Sequence, residues 1–318
     1  MKTKFTLPLL FLLVCLAGSC FNQVDEPPGT LSATLVKNRF FNLMESALIR
    51  TGLIVPLSNP NPDREAEGYT LFAPTDHAFK EFENRTGRKV DDLQRDFLHE
   101  LLQGHLHSGI LAGEELRHGT FISMLNGNEI HVVKDQQNTF VNGAKLVFTD
   151  APSTNGVLHG LDKVIFNSDK SVLDWVSDFK SEKVFLPGEL SIFYAALWKS
   201  GLVQELETAS NLTVFAPSDL AFRQAGILSE QDLENWSPQK LKEILNRHFI
   251  KSNTYFSHEL NGQKIVTQGN EIIEIDFESN GSLKFSFQGS EKSTNAILTD
   301  IAGSQGIMFI IDRVIGEY

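Results

Sequence analysis

Tyr69-Thr70-Leu71-Phe72-Ala73-Pro74-Thr75-Asp76-His77-Ala78-Phe79 is followed 143 residues later by Leu212-Thr213-Val214-Phe215-Ala216-Pro217-Ser218-Asp219-Leu220-Ala221-Phe222. Each half of this stretch has a physical reading. The short apolar run predicts a buried strand, and the proline, which has no amide to donate, stops it. Thr75 and Ser218 then stand where a hydroxyl can accept from the open amides of a new helix. Asp76 and Asp219 fall in that helix's first turn, where its dipole favours negative charge. Ala78-Phe79 and Ala221-Phe222 are predicted to turn inward.

The repeat continues on both sides. His105 and His248 keep the offset of 143 residues. Upstream, Arg50-Thr51-Gly52-Leu53 matches Lys199-Ser200-Gly201-Leu202 at an offset of 149, and the difference falls in the polar stretch Asn59 to Gly68, an extra loop in the first copy. Downstream, Thr149-Asp150 and Gly156 to Ile165 match Thr299-Asp300 and Gly306 to Ile315 at an offset of 150. Anchors in one order, with length differences confined to linkers, mean a duplicated domain.

Within each copy the helical signals come first. Val36, Phe40, Leu43, Met44, Ala47 and Leu48 recur at helical spacing, and Gly52 is placed to end that helix. Ile192, Ala195, Ala196 and Leu197 repeat the pattern before Gly201. Strand signals follow. Ile273, Ile275 and Phe277 alternate with acidic residues, and Leu283, Phe285 and Phe287 alternate beyond Asn280-Gly281, a strong hairpin pattern. Asn142-Gly143 gives a weaker counterpart in the first copy. Helices first and strands last predict an α+β domain with helices packed on an antiparallel sheet.

The chain has 318 residues, enough for two domains with cores of their own. Its 24 Phe against 4 Tyr and 3 Trp suit buried packing, because Phe has no polar tip. The net charge is -12, and an acidic surface repels phosphate backbones and anionic headgroups, which argues against a nucleic-acid partner and against adsorption to acidic lipid as the anchor.

Lys2 and Lys4, an apolar run from Leu7 to Leu16 and the small residues Ala17-Gly18-Ser19 read as an export signal over residues 1–19. The run is too short to cross a bilayer as a helix. Leu16-Ala17-Gly18-Ser19-Cys20 resembles the lipobox of bacterial lipoproteins, with the leucine one place further upstream than usual. That resemblance implies that Cys20 becomes the first mature residue and carries acyl chains such as palmitate. Of the two cysteines, Cys15 lies in the segment to be removed, so Cys20 would be the lone mature thiol, which acylation explains. Residues 20–33, with Pro27, Pro28 and Gly29, read as a tether. Asp25-Glu26 resembles a signal that sends lipoproteins to the outer surface in some bacteria, or is simply a solvated linker.

With these blocks assembled, the chain resembles the fasciclin-like domain family, twice over. The resemblance rests on the block Phe72, Ala73, Pro74, Thr75, Asp76 and Phe79, its copy Phe215, Ala216, Pro217, Ser218, Asp219 and Phe222, the central histidines, Val141-Asn142-Gly143-Ala144, and the closing run Asn155 to Ile165. It implies an α+β fold in which each domain is a small antiparallel β-sandwich or wedge with helices packed on it. We expect domains at 34–167 and 171–318. It further implies a secreted or surface-attached protein with an adhesive role, no enzymatic activity and no cofactor. Two departures matter. Adhesive members often carry a Tyr beside the central His, and neither His105 nor His248 has one; and the closing block of the second copy has drifted to Gly306-Ile307-Met308-Phe309-Ile310-Ile311.

Other chemistry finds little support. On a helix, His99 and His105 lie about 240° apart and His105 and His107 about 200°, so they share no face for a metal, and none is expected. His105 and His248 read first as structural groups hydrogen-bonded at a helix end, with partner contact as their other role. Among Trp175, Trp198 and Trp236, the first reading puts Trp198 in a core helix and Trp236, beside Asn235 and Ser237-Pro238, at the surface as a candidate contact. The expectation is a membrane-anchored lipoprotein of the bacterial envelope, on the outer membrane, that binds an extracellular protein or polysaccharide. The alternative is an accessory glycan-binding lipoprotein of a polysaccharide uptake system.

Overall fold

A computed structural model of the chain describes residues 28–185, 189–278, 282–288 and 292–316. The export signal, Cys20 and the Asn280-Gly281 turn lie outside the described residues.

The first copy runs α1 (Leu31–Lys37), α2 (Asn42–Thr51), β1 (Tyr69–Pro74), α3 (Asp76–Thr86), α4 (Arg95–Gln103), β2 (Leu106–Ser108), β3 (Phe121–Ser123), β4 (Glu129–Lys134), β5 (Thr139–Val141), β6 (Ala144–Ser153), β7 (Gly156–Leu161) and β8 (Phe166–Asn167). After α5 (Val172–Lys180), the second runs α6 (Ser191–Ser200), α7 (Val203–Glu207), β9 (Leu212–Pro217), α8 (Asp219–Gln224), α9 (Pro238–Asn246), β10 (Phe249–Ile250), α10 (Ser257–Leu260), β11 (Gln263–Val266), β12 (Ile272–Phe277), β13 (Leu283–Phe287), β14 (Ser293–Gly303) and β15 (Gly306–Ile311).

The two sheet paths are the same: β2-β1-β7-β6-β5-β4-β3 and β10-β9-β15-β14-β13-β12-β11. The α+β class holds, but the sheets are mixed rather than antiparallel. β1 pairs in parallel with β7, Tyr69 opposite Gly156, and β9 with β15, Leu212 opposite Gly306. The motif strand and the closing strand of each copy are thus neighbours at the centre of a sheet. β1, β7 and β9 are buried along their whole length, which is why they read as unbroken apolar runs. Gly156 and Gly306 have φ of 159° and 153°, and a Cβ there would lie 2.1 Å from the Tyr69 carbonyl oxygen and 1.8 Å from that of Leu212. Only glycine admits this approach.

Each long strand bends at two register shifts, Leu146/Phe148 and Phe148/Ala151 in β6, Ala296/Leu298 and Leu298/Ile301 in β14. The bends fold each sheet path over a small core: Phe72, Ile130, Val132, Val141 and Leu161 in one copy, Phe215, Ile273, Ile275, Phe285 and Phe309 in the other. The helices cover the opposite face, and here the copies share one continuous core. Phe82 meets Phe166, and Phe166 meets both Trp175 and Phe179 at ring distances of 5.8 to 6.3 Å. β8, expected to close the first domain, adds in parallel to β14 of the second. The end of the first domain, at 166–167, is therefore a strand shared with the second copy.

The helix ends behave as their residues require. Thr75 and Ser218 accept from the amides of Ala78 and Ala221, worth about 1 kcal/mol each. Gly52 and Gly201 end α2 and α6 at φ 82° and 74°. Asn142-Gly143 takes φ 45° and 78° between β5 and β6, the hairpin expected there. Two expectations are corrected. Thr30 caps α1 and Leu31 is buried, so the folded part begins inside the stretch read as tether. The helix expected through Val36 and Phe40 is broken at Asn38, whose side-chain oxygen accepts from the Phe40 amide, and both apolar residues face outward.

Candidate functional site

The residues that carry the repeat are consumed by the fold. Phe72 and Phe215 are buried in the small cores, Ala73 and Ala216 in the larger core under the helices, and Phe79 and Phe222 turn into that larger core from α3 and α8. Pro74 and Pro217 end their strands. Asp76 does more than sit in a first turn. Its carboxylate accepts from the Leu43 amide and the Asn42 side chain at the start of α2, which has no side-chain cap of its own. Asp219 accepts from the Ile192 amide at the start of α6 in the same way. Each aspartate joins two helix N-termini, which is structural work and not acid–base chemistry.

His105 and His248 are fully buried, so they do not meet a partner, and the candidate contact role is corrected. His105 Nδ1 donates to the Leu101 carbonyl at 2.9 Å, and Nε2 accepts from the Ile165 amide at 2.9 Å. His248 repeats this with the Ile244 carbonyl at 3.0 Å and the Ile315 amide at 2.9 Å. Each ring ties the end of a helix to the segment after the closing strand. A ring accepting at Nε2 must be neutral. Burial accordingly pushes His105 down to about 4 and His248 to about 3, against a smaller upward effect of the helix carbonyls.

The tryptophans exchange roles. Trp175 is buried and its indole N–H donates to the Ala302 carbonyl at 3.1 Å. Trp236, expected at the surface, is half-buried against the core, whereas Trp198, expected inside, is 56% exposed. Trp198 is on α6 beside Tyr194, with ring centroids 6.2 Å apart and planes tilted by 57°. Lys180 lies 4.7 Å from the Tyr194 ring. The reason is one of phase: Ile192, Phe193, Ala196 and Leu197 take the buried face of α6 and turn Trp198 away from it.

Sequence reasoning missed the junction between the copies. Lys163 Nζ reaches Asp300 at 2.7 Å, Ser257 Oγ at 2.8 Å and Thr299 Oγ1 at 3.3 Å. The Ser257 amide and hydroxyl also donate to Asp300. Burial alone would raise the Asp300 carboxyl; the Lys163 ammonium and these hydrogen bonds outweigh it and hold the group below its ordinary value. Arg85 donates to the carbonyls of Ala296 and Ile297 at the bend of β14. Phe140 stacks on His258 at 4.3 Å across the seam. Burial pushes His258 down despite Glu259 and Asp300 nearby. Beside these contacts is a cleft of about 470 Å³ lined by Glu81, Arg85 and Lys163 from one copy and Phe277, Leu283 and Thr299 from the other. The one sequence signal for this site was that Asp150 and Asp300 repeat; nothing marked which would be buried.

His99 and His107 do not converge: the first meets the Thr51 carbonyl and the second that of Ser123. Among the described residues no group of side chains could hold a metal, and no helix is long and apolar enough to cross a membrane.

Comparison with known proteins gives a consistent family. The profile described as the fasciclin domain matches residues 39–167 and again 188–317. Human periostin is 28% identical over 214 residues, covering 65% of this chain and 23% of periostin. The pig transforming growth factor-beta-induced protein ig-h3 is 25% identical over 263 residues, covering 80% of this chain and 35% of that protein. The chain therefore spans about a third or less of these relatives. A solved FAS1 domain pair from the insect cell adhesion molecule fasciclin I covers 88% of this chain and 98% of its own, at 17% identity and a TM-score of 0.40.

Proposed function

Because this chain belongs to the fasciclin-domain family, with two copies in tandem, we propose that it is a non-enzymatic adhesion module of the bacterial envelope. A lipid on Cys20 holds it to the outer membrane, and the paired domains bind an extracellular protein or polysaccharide. The observation that carries the reading is that the motif residues are all engaged inside the fold. Thr75, Asp76, His105 and their counterparts each hydrogen-bond to backbone groups of neighbouring elements or of their own helix. Recognition is left to the outer surface, as suits a scaffold that presents surface rather than a reactive cleft. The alternative, glycan capture for an uptake system, would be favoured by a flat strip of aromatic rings. Trp175 is buried, Trp236 is half-buried, and the exposed Trp198 is tilted against Tyr194, which weighs toward adhesion.

Two measurements test the reading. Cys20→Ser should release the protein from membranes; a variant still sedimenting with them in high salt would remove the anchor. The chain from Phe21 onward, applied to an array of polysaccharides and matrix proteins, should bind proteins or whole cells. Saturable glycan binding lost in Trp198→Ala would replace adhesion with the glycan reading.

A further inference from the structure

The break between α1 and α2, Val36-Lys37-Asn38-Arg39-Phe40, is where apolar periodicity and the folded chain part company. Val36 is 61% exposed and Phe40 57%, while their neighbours Leu35 and Phe41 are buried. Asn38 causes this. Its extended backbone, φ -107° and ψ 102°, ends α1, and its side chain fixes the Phe40 amide. Phe41 then enters the core, 5.6 Å from the Phe148 ring, and Phe40 is turned out. The exposed cations Lys37 and Arg39 lie in sequence between the two apolar residues, and the Arg39 guanidinium lies 5.5 Å from the Phe40 ring.

We propose that this turn is a membrane-contact surface that lays the first domain against the bilayer carrying its own anchor, an inference that rests on the lipid on Cys20. Two observations select a bilayer as the occupant. The first is charge. On a chain of net charge -12, two cations set between a Phe and a Val match an interface where anionic headgroups overlie acyl chains. Lys and Arg keep their heads at headgroup level while the apolar side chains reach below. The second is position. Thr30, which caps α1, is ten positions on from Cys20, about 35 Å at full extension, so the turn cannot stand far from the anchor.

The second copy lacks the feature. At the offset of 149 residues, Val36 corresponds to Phe185, which is buried, and Phe40 to Glu189, whose carboxylate accepts from the Asp219 amide. The contact therefore belongs to the anchored domain alone. One Phe, one Val and two cations make a weak contact, which acts once the lipid has raised its local concentration. Its effect is to set which face of the pair points away from the membrane.

The test uses the chain from Phe21, which contains no cysteine, held through an N-terminal histidine tag on vesicles of three parts phosphatidylethanolamine to one part phosphatidylglycerol with a nickel-chelating lipid. A single thiol is introduced by Phe40→Cys, or by Leu228→Cys in the second domain, where Leu228 is 65% exposed, and carries an environment-sensitive dye. The dye at position 40 should shift to the blue and be quenched by spin-labelled lipid roughly twofold more than at 228. Adding Lys37→Glu and Arg39→Glu should bring position 40 down to the level of 228 with the chain still on the vesicles. Equal quenching at the two positions, or quenching untouched by charge reversal, overturns the proposal. The tag replaces the natural lipid, so this result is independent of Cys20, whose role the fractionation of Cys20→Ser reads separately.

Discussion

Asp150 and Asp300 stand at the same bend in the two copies, each at φ 63°, a conformation that Asp tolerates better than most residues. Asp150 stays at the surface, accepting from the Gly113 amide. Asp300 is buried and ion-paired with Lys163 of the other copy. The closing strands differ in a second way. In the first copy Phe148 pairs with Gly160, and in the second Leu298 pairs with Ile310. One combination is large against none, the other medium against medium, and both fill the same space. A third difference is His159, stacked on Phe72 at 5.3 Å, against Phe309, 5.5 Å from Phe215. Duplication thus kept the framework and let two things drift: volume shared between neighbours, and polarity where one copy meets the other.

The sharpest way to break the comparison is at the junction. Lys163→Met leaves Asp300 buried without its cation and should cost about 3–5 kcal/mol, seen as a fall in the urea midpoint. Asp150→Asn, at the equivalent position, should leave the midpoint unchanged. If both fell alike, the junction would not distinguish the copies. The same measurement speaks to cooperativity. With Phe166, Trp175 and Phe179 in one core, unfolding should follow a single transition, and two separate transitions would break that picture.

Volume comes next. A Cβ on Gly160 would meet the Phe148 ring at 2.5 Å, so Gly160→Ile should destabilise by about 1–3 kcal/mol. Adding Phe148→Leu, the pairing of the second copy, should restore most of the loss. A double variant no better than the single would mean that the two sites are not coupled.

Acid sharpens the comparison further. His105 at about 4 and His248 at about 3 lie below a free imidazole, near 6.5. Above pH 6.5 folded and unfolded chains are both neutral there, and pH has no effect. Below it the unfolded chain takes up protons that the folded chain refuses, and stability falls until the folded rings titrate as well. At pH 5 the loss is about 2 kcal/mol per histidine, and it should be the same in His105→Gln and His248→Gln backgrounds. Burial also pushes His159 down, against the Leu111 carbonyl and Asp150, and its counterpart Phe309 cannot titrate. His159→Phe should flatten the acid loss. It should also cost stability at pH 7, because the Leu111 carbonyl and the Asp150 amide lose their partner. The smallest effect expected is that of Trp198→Ala, which is exposed and should leave the melting temperature unchanged while remaining the test of glycan contact.

Much of this was legible beforehand. Thr75, Ser218, Gly52, Gly201 and the Asn142-Gly143 turn obey rules that act within a few residues, so the chain itself announces them. Val36, Phe40 and Trp198 were misplaced because periodicity says which residues share a face but not where a helix breaks or which face finds a neighbour; Asn38 and the phase of α6 decided those points. Trp236 was misplaced because polar neighbours in sequence do not say what packs against a ring, and it lies half-buried against the core.

By itself, the sequence determined the duplication, the strand–cap–helix unit, the α+β class and the family, since each is written in local chemistry repeated at fixed offsets. The tertiary structure decided the rest. It set the parallel pairing of β1 with β7, because strands distant in sequence become neighbours only when both bury their two faces. It assigned His105 and His248 as internal ties, because an imidazole's role depends on what stands opposite each nitrogen. It distinguished Asp300 from Asp150, because burial beside a cation is a property of two surfaces in contact and not of either residue alone.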